Sequence, residues 1–338
     1  MRHFLLLIAG GSALLGCNLL LEGQDYHASV GAGGQAGHGA APTGGSGAGG
    51  DLVGGAGGGL VGGQGGTASC RTTDEDACVL PTGELTFPFD SSCENGGFCE
   101  HDTPATTTVT TSSGYLHIQT TGPTGFWDTN VEYPTMLYRV AAEVRDFVVV
   151  TQVHSVIPEP INANFAVAGI FLREPNGSWM TDGSDEEWVK FEVGYLGLGS
   201  QVTTMGPGLL LGRDRNNVSA AQLAYVPFDQ TTWSTETLDI ELGICRIGPS
   251  YVFAWRRDGG NGNDLGTNGL WTPVGLPVPQ ELPVFAGDLQ IGVGAAVFNP
   301  ANHVTAEFGW LVYRFGDDFI SDDCMTEFAS ITDAQAPP

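Results

Sequence analysis

Between residues 114 and 315, apolar side chains recur at every second position and almost never at helical spacing. The alternation runs through GYLHIQTT (114–121), DFVVVTQVHSV (146–156), FAVAGIFLRE (165–174) and EWVKFEVGYLG (187–197). It resumes in TLDIELGICRI (237–247), SYVFAWRRDG (250–259), LQIGVGAAV (289–297) and TAEFGWLVYRF (305–315). Period two marks half-buried strands, and the Gly, Pro, Asn and Asp residues between these segments mark turns. So many strands with no convincing helix predict an all-β fold, with two packed antiparallel sheets of the jelly-roll kind.

The N-terminal pattern is different. Phe4 to Leu21 is apolar but interrupted by Ser12, Cys17 and Asn18, and a bilayer span needs ~20 uninterrupted apolar residues. A targeting segment fits better: Arg2 supplies the positive start, Phe4–Leu15 the apolar region, and Gly16 the small residue before a cut. Leu14-Leu15-Gly16-Cys17 resembles the lipobox of bacterial lipoproteins. The resemblance implies a signal peptide over 1–16, a lipidated Cys17 as mature N-terminus, and anchoring in membrane lipid by several acyl chains. Asn18, in place of an Asp that would favour inner-membrane retention, implies the outer membrane or cell surface. Residues 17–69 then form a leash: its glycine tract has almost no side chain large enough to bury and is predicted to be disordered. A Gly-rich coil of this length has an r.m.s. reach of roughly 35–40 Å.

Charge narrows the partners. With 12 Lys+Arg against 38 Asp+Glu the formal net charge is -26, and Lys190 is the only lysine. Such a surface repels phosphate backbones and anionic lipid, which disfavours nucleic acid and leaves membrane attachment to the lipid anchor. Setting Cys17 aside leaves six of the 7 cysteines, an even number that reads as three disulfides in an exported chain. Cys93 and Cys99 bracket Asn-Gly-Gly and predict a local pair; Cys70 with Cys78 and Cys245 with Cys324 complete one of the allowed connectivities. Segments 70–104 and 325–338 are read as a disulfide-containing entry segment and a C-terminal tail flanking the sandwich at 105–324.

The succession Trp127-Asp128, VRDFVVVTQV, AGIFLRE, WVKFEVG, LDIELGICRIGPSYVFAWRRDG, LQIGVGAAVFNP and AEFGWLVY resembles the concanavalin A-like sandwich domains of bacterial surface proteins and β-xylosidase C-termini. That fold hosts lectins, glycanases and inert spacers, so function has to come from residues. Sandwich glycanases place carboxylates at alternate positions of one strand. Here Asp239 and Glu241 share a face, but a threonine, Thr237, stands where the first acid is expected; they are the only catalytic candidates. No GxSxG occurs, and His117, His154 and His303 show no metal-ligand spacing in sequence.

A lectin-like site needs an aromatic ring among polar groups, because sugars stack their C–H faces and hydrogen-bond their hydroxyls. In EEWVKFE, alternation puts Trp188, Lys190 and Glu192 on one face; Arg257 ends a second aromatic row with Tyr251, Phe253 and Trp255; Trp127 and Trp179 lie in turn-rich loops. Asp258, Asn261, Asn263 and Asp264 in DGGNGNDLG match one copy of a calcium-binding nonapeptide and make Ca²⁺ the candidate cofactor. The expected function is a tethered module that binds polysaccharide or surface glycan without catalysis. A structural or protein-contact lipoprotein is the second reading and a glycoside hydrolase the third.

Overall fold

All eight alternating segments are strands. The computed structural model describes residues 78–80, 84–89, 98–101, 107–121, 135–141, 145–159, 166–174, 187–195, 207–215, 218–228, 238–257, 269–275, 285, 288–297 and 302–335. The chain divides into two units, 1–62 and 63–338, and every described residue belongs to the second. The signal segment with Cys17, Cys70, Cys93, Trp127, Trp179, Asp258, Asn261, Asn263 and Asp264 lie outside the described residues.

One antiparallel sheet contains β1 (Leu85–Phe87), β3 (Thr108–Ser112), β4 (Tyr115–Thr121), β6 (Phe147–Glu159), β11 (Ile240–Ile247), β12 (Ser250–Arg257), β13 (Thr272–Pro273) and β15 (His303–Phe315). Its order is β13-β12-β11-β6-β15-β4-β3, with β1 pairing β15. The other contains β2 (Cys99–His101), β5 (Thr135–Ala141), β7 (Ala166–Glu174), β8 (Glu187–Tyr195), β9 (Pro207–Arg215), β10 (Val218–Pro227) and β14 (Leu289–Val297). They are ordered β10-β9-β8-β7-β14-β5-β2. The chain passes back and forth between the sheets, and their facing sides close a single core, so the protein is an all-β antiparallel sandwich. Val149 and Val153 (β6), Ile240, Leu242 and Ile244 (β11), and Phe253 and Trp255 (β12) meet Ile170 and Leu172 (β7), Val189, Phe191 and Val193 (β8), and Ile291 and Val293 (β14). Phe191 and Phe253 touch edge to face across the gap, ring centres 5.9 Å apart. The buried Tyr313 hydroxyl donates to the Ile291 carbonyl (3.0 Å), so this donor is satisfied within the apolar layer.

Within the segment read as a C-terminal tail, Cys324–Gln335 form a helix, α1. Asp323 caps it, its Oδ2 accepting from the Thr326 amide (3.0 Å) and hydroxyl (2.8 Å). Cys324, Phe328 and Ile331, spaced one turn apart, bury against Val148, Val150, Ala254 and Val312 on the outer face of the first sheet. The disulfide Cys245–Cys324 pins it there, as the cysteine reading expects. The other described disulfide is Cys78–Cys99, which excludes the expected pairs Cys93–Cys99 and Cys70–Cys78. The reason is strand β5: Cys99 pairs opposite Tyr138, and Val79 bridges to Val140, so one strand brings Cys78 and Cys99 to a Cα separation of 5.7 Å.

Candidate functional site

Strand β8 turns Val189, Phe191 and Val193 into the core and Trp188, Lys190 and Glu192 onto the outer face of the second sheet, the split that alternation predicts. What alternation does not predict is how deeply that outer face is buried: Trp188 is 5 % exposed, Lys190 2 % and Glu192 0 %. The register builds rows across the sheet. Gln290, Arg173 and Trp188 stand side by side on β14, β7 and β8, and next to them Gly292, Phe171, Lys190 and Gly212. A third row runs Gly294, Gly169, Glu192 and Leu210. The glycines leave the backbone bare so that long side chains can lie flat. A Cβ on Gly212 would come 2.6 Å from the Lys190 Cε, and one on Gly294 2.9 Å from the Phe171 ring.

The polar groups on this floor are arranged unequally. Arg173 donates from Nη1 to Gln290 Oε1 (2.7 Å) and sits 5.2 Å above the Trp188 ring. Lys190 Nζ stands 3.7 Å from Glu192 Oε2, close enough for ion pairing and too long for a hydrogen bond. Among the described residues neither Glu192 oxygen has a hydrogen-bond partner. Burial pushes its carboxyl above the usual range, and the Lys190 charge opposes that shift. A fully buried carboxylate without hydrogen bonds is costly, and pairing offsets only part of the cost.

The remaining candidates lie on the first sheet. Asp239 and Glu241 each have their own basic partner. Glu241 takes a two-pronged pair with Arg256, Nη2 donating to Oε1 at 3.1 Å and Nε to Oε2. Asp239, in left-handed backbone (φ 44°), bonds His154 Nδ1 at 2.6 Å. Arg257 donates from Nε to the Leu238 carbonyl (3.0 Å) at the end of a row whose Phe253 and Trp255 fill the core. It is therefore not part of the constellation around Trp188.

Sequence reading left His117 and His154 scattered, and the fold brings them together. Because β15 lies between β4 and β6, His117, Glu307 and Ser155 are direct neighbours on one face, with His154 in the bulge beside them. His117 Nδ1 is 3.2 Å from Glu307 Oε1 and His154 Nε2 is 4.0 Å from Glu307 Oε2. The residues are 37 and 153 positions apart, so only the strand order could have revealed the group.

The sequence matches no family model and no curated protein. Among solved structures the chain is similar to a functionally unknown protein from Saccharomyces cerevisiae, at 14 % identity over 63 % of this chain and 94 % of that one, TM-score 0.39. It is also similar to a xylan β-1,4-xylosidase from Bacillus halodurans, at 12 % identity over 63 % of this chain and 40 % of that one, TM-score 0.37. A third likeness is to a legume lectin-like domain from Entamoeba histolytica, at 9 % identity over 62 % of this chain and 88 % of that one, TM-score 0.36.

Proposed function

We propose that the sandwich is a non-catalytic glycan-binding module, held at the bacterial outer surface by a lipid on Cys17 and a glycine-rich leash. The observation that carries this reading is the Trp188, Lys190 and Glu192 row over a glycine floor. The core lies on the other side of β8, so the fold does not require a buried, incompletely hydrogen-bonded charge pair beside aromatic rings here. Sugar recognition uses that mixture: an aromatic face for the ring and charged donors and acceptors for the hydroxyls.

The test is a thermal-shift screen of the full chain against polysaccharides and oligosaccharides. A glycan at 100 times its Kd stabilises by about 2.7 kcal/mol. Trp188→Ala should abolish the shift while the apo protein still unfolds cooperatively. If no glycan shifts the melt, the structural or protein-contact reading takes its place. The tether is tested separately by Cys17→Ala, which should leave unprocessed precursor in the producing cell; normal processing of the variant would rule out lipidation.

A further inference from the structure

On the outer face of the first sheet, away from the row around Trp188, we propose that His117, His154 and Glu307 bind a transition-metal dication, with Asp239 and Ser112 holding the two imidazoles in position. The argument starts from where the ring protons must be. His117 Nε2 lies 3.1 Å from the Ser112 carbonyl oxygen and 2.8 Å from its hydroxyl. A carbonyl only accepts, so Nε2 carries the hydrogen. His154 Nδ1 lies 2.6 Å from the Asp239 carboxylate, which likewise only accepts, so Nδ1 carries the hydrogen there. In its neutral form each ring therefore turns a bare lone pair, Nδ1 of His117 and Nε2 of His154, toward Glu307.

Lone pairs facing a carboxylate repel unless something positive lies between them. Two kinds of charge could do this: a proton on each ring, or one metal ion shared by all three groups. The distances favour the ion. Charge-assisted N–H···O bonds close to about 2.7–2.9 Å, whereas the two contacts here are 3.2 and 4.0 Å. Ligands 2.0–2.1 Å from a tetrahedral ion stand about 3.3 Å apart. The first contact already has that spacing. The second must shorten by roughly 0.7 Å to reach it; as the side chains stand, no group of three His, Cys, Asp or Glu among the described residues could hold a metal ion.

The surroundings have the form that ligating histidines require. A metal-bound imidazole gives its other N–H to a carboxylate or a backbone carbonyl; His154 gives its own to Asp239 and His117 to Ser112. Ser155 donates to Glu307 Oε2 (2.6 Å), orienting the carboxylate. Tyr115 stacks on the His154 ring, centroids 4.1 Å apart and planes 20° from parallel, which fixes the ring plane. The His117, His154 and Glu307 side chains are 21–22 % exposed, so an ion and its remaining waters have access. Two imidazoles and one carboxylate select zinc, copper or nickel over calcium or magnesium.

Zinc chloride titrated into the full chain by calorimetry, with calcium chloride as control, should show one zinc site and no calcium response at this cluster. His117→Ala and His154→Ala should each abolish the zinc heat, and His27→Ala/His38→Ala should leave it unchanged. Asp239→Asn should weaken zinc affinity by about 10–100-fold while keeping the stoichiometry. Should a histidine variant fail to fold, ¹⁵N resonances of the native protein decide: zinc should shift His117 Nδ1 and His154 Nε2 selectively. Zinc binding that survives both histidine changes would overturn the site. So would imidazole spectra showing both rings doubly protonated at pH 7.5 and unmoved by zinc.

Discussion

The two outer faces of the sandwich treat charge in opposite ways. On the first sheet Glu241 meets Arg256 through two bonds, Asp239 meets His154, and Arg314 ties Glu84, Glu327 and Ser330 together. On the second sheet Glu192 lies fully buried with an ion-pair partner 3.7 Å away and, among the described residues, no hydrogen bond to either oxygen. Networks that satisfy each member fix structure. A buried pair left short of hydrogen bonds contributes little to stability. The contrast therefore separates charges on the first sheet that are bonded to a partner from a buried pair on the second whose carboxylate lacks hydrogen bonds among the described residues.

The largest effect should come from breaking the Lys190–Glu192 pair. Glu192→Ala leaves a buried ammonium and should cost about 3–5 kcal/mol in denaturant unfolding. The double replacement Lys190→Met/Glu192→Leu should recover most of that loss while remaining unable to bind glycan. If the double variant is as unstable as the single one, the pair is structural and the contrast between the faces fails. The same carboxyl has a pH signature. Its folded pKa is raised, so between the unfolded value and the raised one the folded state binds more protons, and stability falls as pH rises through that window. In Glu192→Gln this component should be missing from the stability-versus-pH curve. An unchanged curve would mean that Glu192 does not titrate differently on folding.

Effects on the first sheet should be smaller and structural. Cys245→Ala/Cys324→Ala removes a disulfide whose ends are 79 residues apart and should cost about 2–4 kcal/mol, with glycan response intact. Smaller again, Asp323→Ala removes the α1 cap and should cost about 1 kcal/mol, measured by the same unfolding. If either change altered glycan binding as strongly as Trp188→Ala, the two faces would be coupled and the division between them lost.

How much of this the sequence exposed depends on the range of the interaction. Strand alternation is local, so EWVKFEVGY placed Trp188, Lys190 and Glu192 on one face correctly. Their burial was hidden because it depends on neighbours from β7, β9 and β14. Strands β9 and β10 were not foreseen, because PGLLLGRDR and VSAAQLAYVP lack clean alternation. Helix α1 has only Cys324, Phe328 and Ile331 at helical spacing, a stripe too short to recognise without the sheet beneath it. The Cys78–Cys99 bond defeated a loop-closure argument because β5 supplies the proximity, and the His117–Glu307–His154 group needed the order β4-β15-β6.

That order also sets a timetable for assembly. Strand β15 lies between β6 and β4, and β14 lies between β7 and β5, yet both come after nearly every other strand in the chain. Neither sheet can close until residues 289–315 are available, so an N-terminal stretch emerging from a ribosome exposes unpaired strand edges and half a core. Such late, non-local pairing makes folding slow and leaves the unfinished chain open to aggregation. The domain is therefore expected to stay unfolded through synthesis, and to fold in one late step once its last strands arrive.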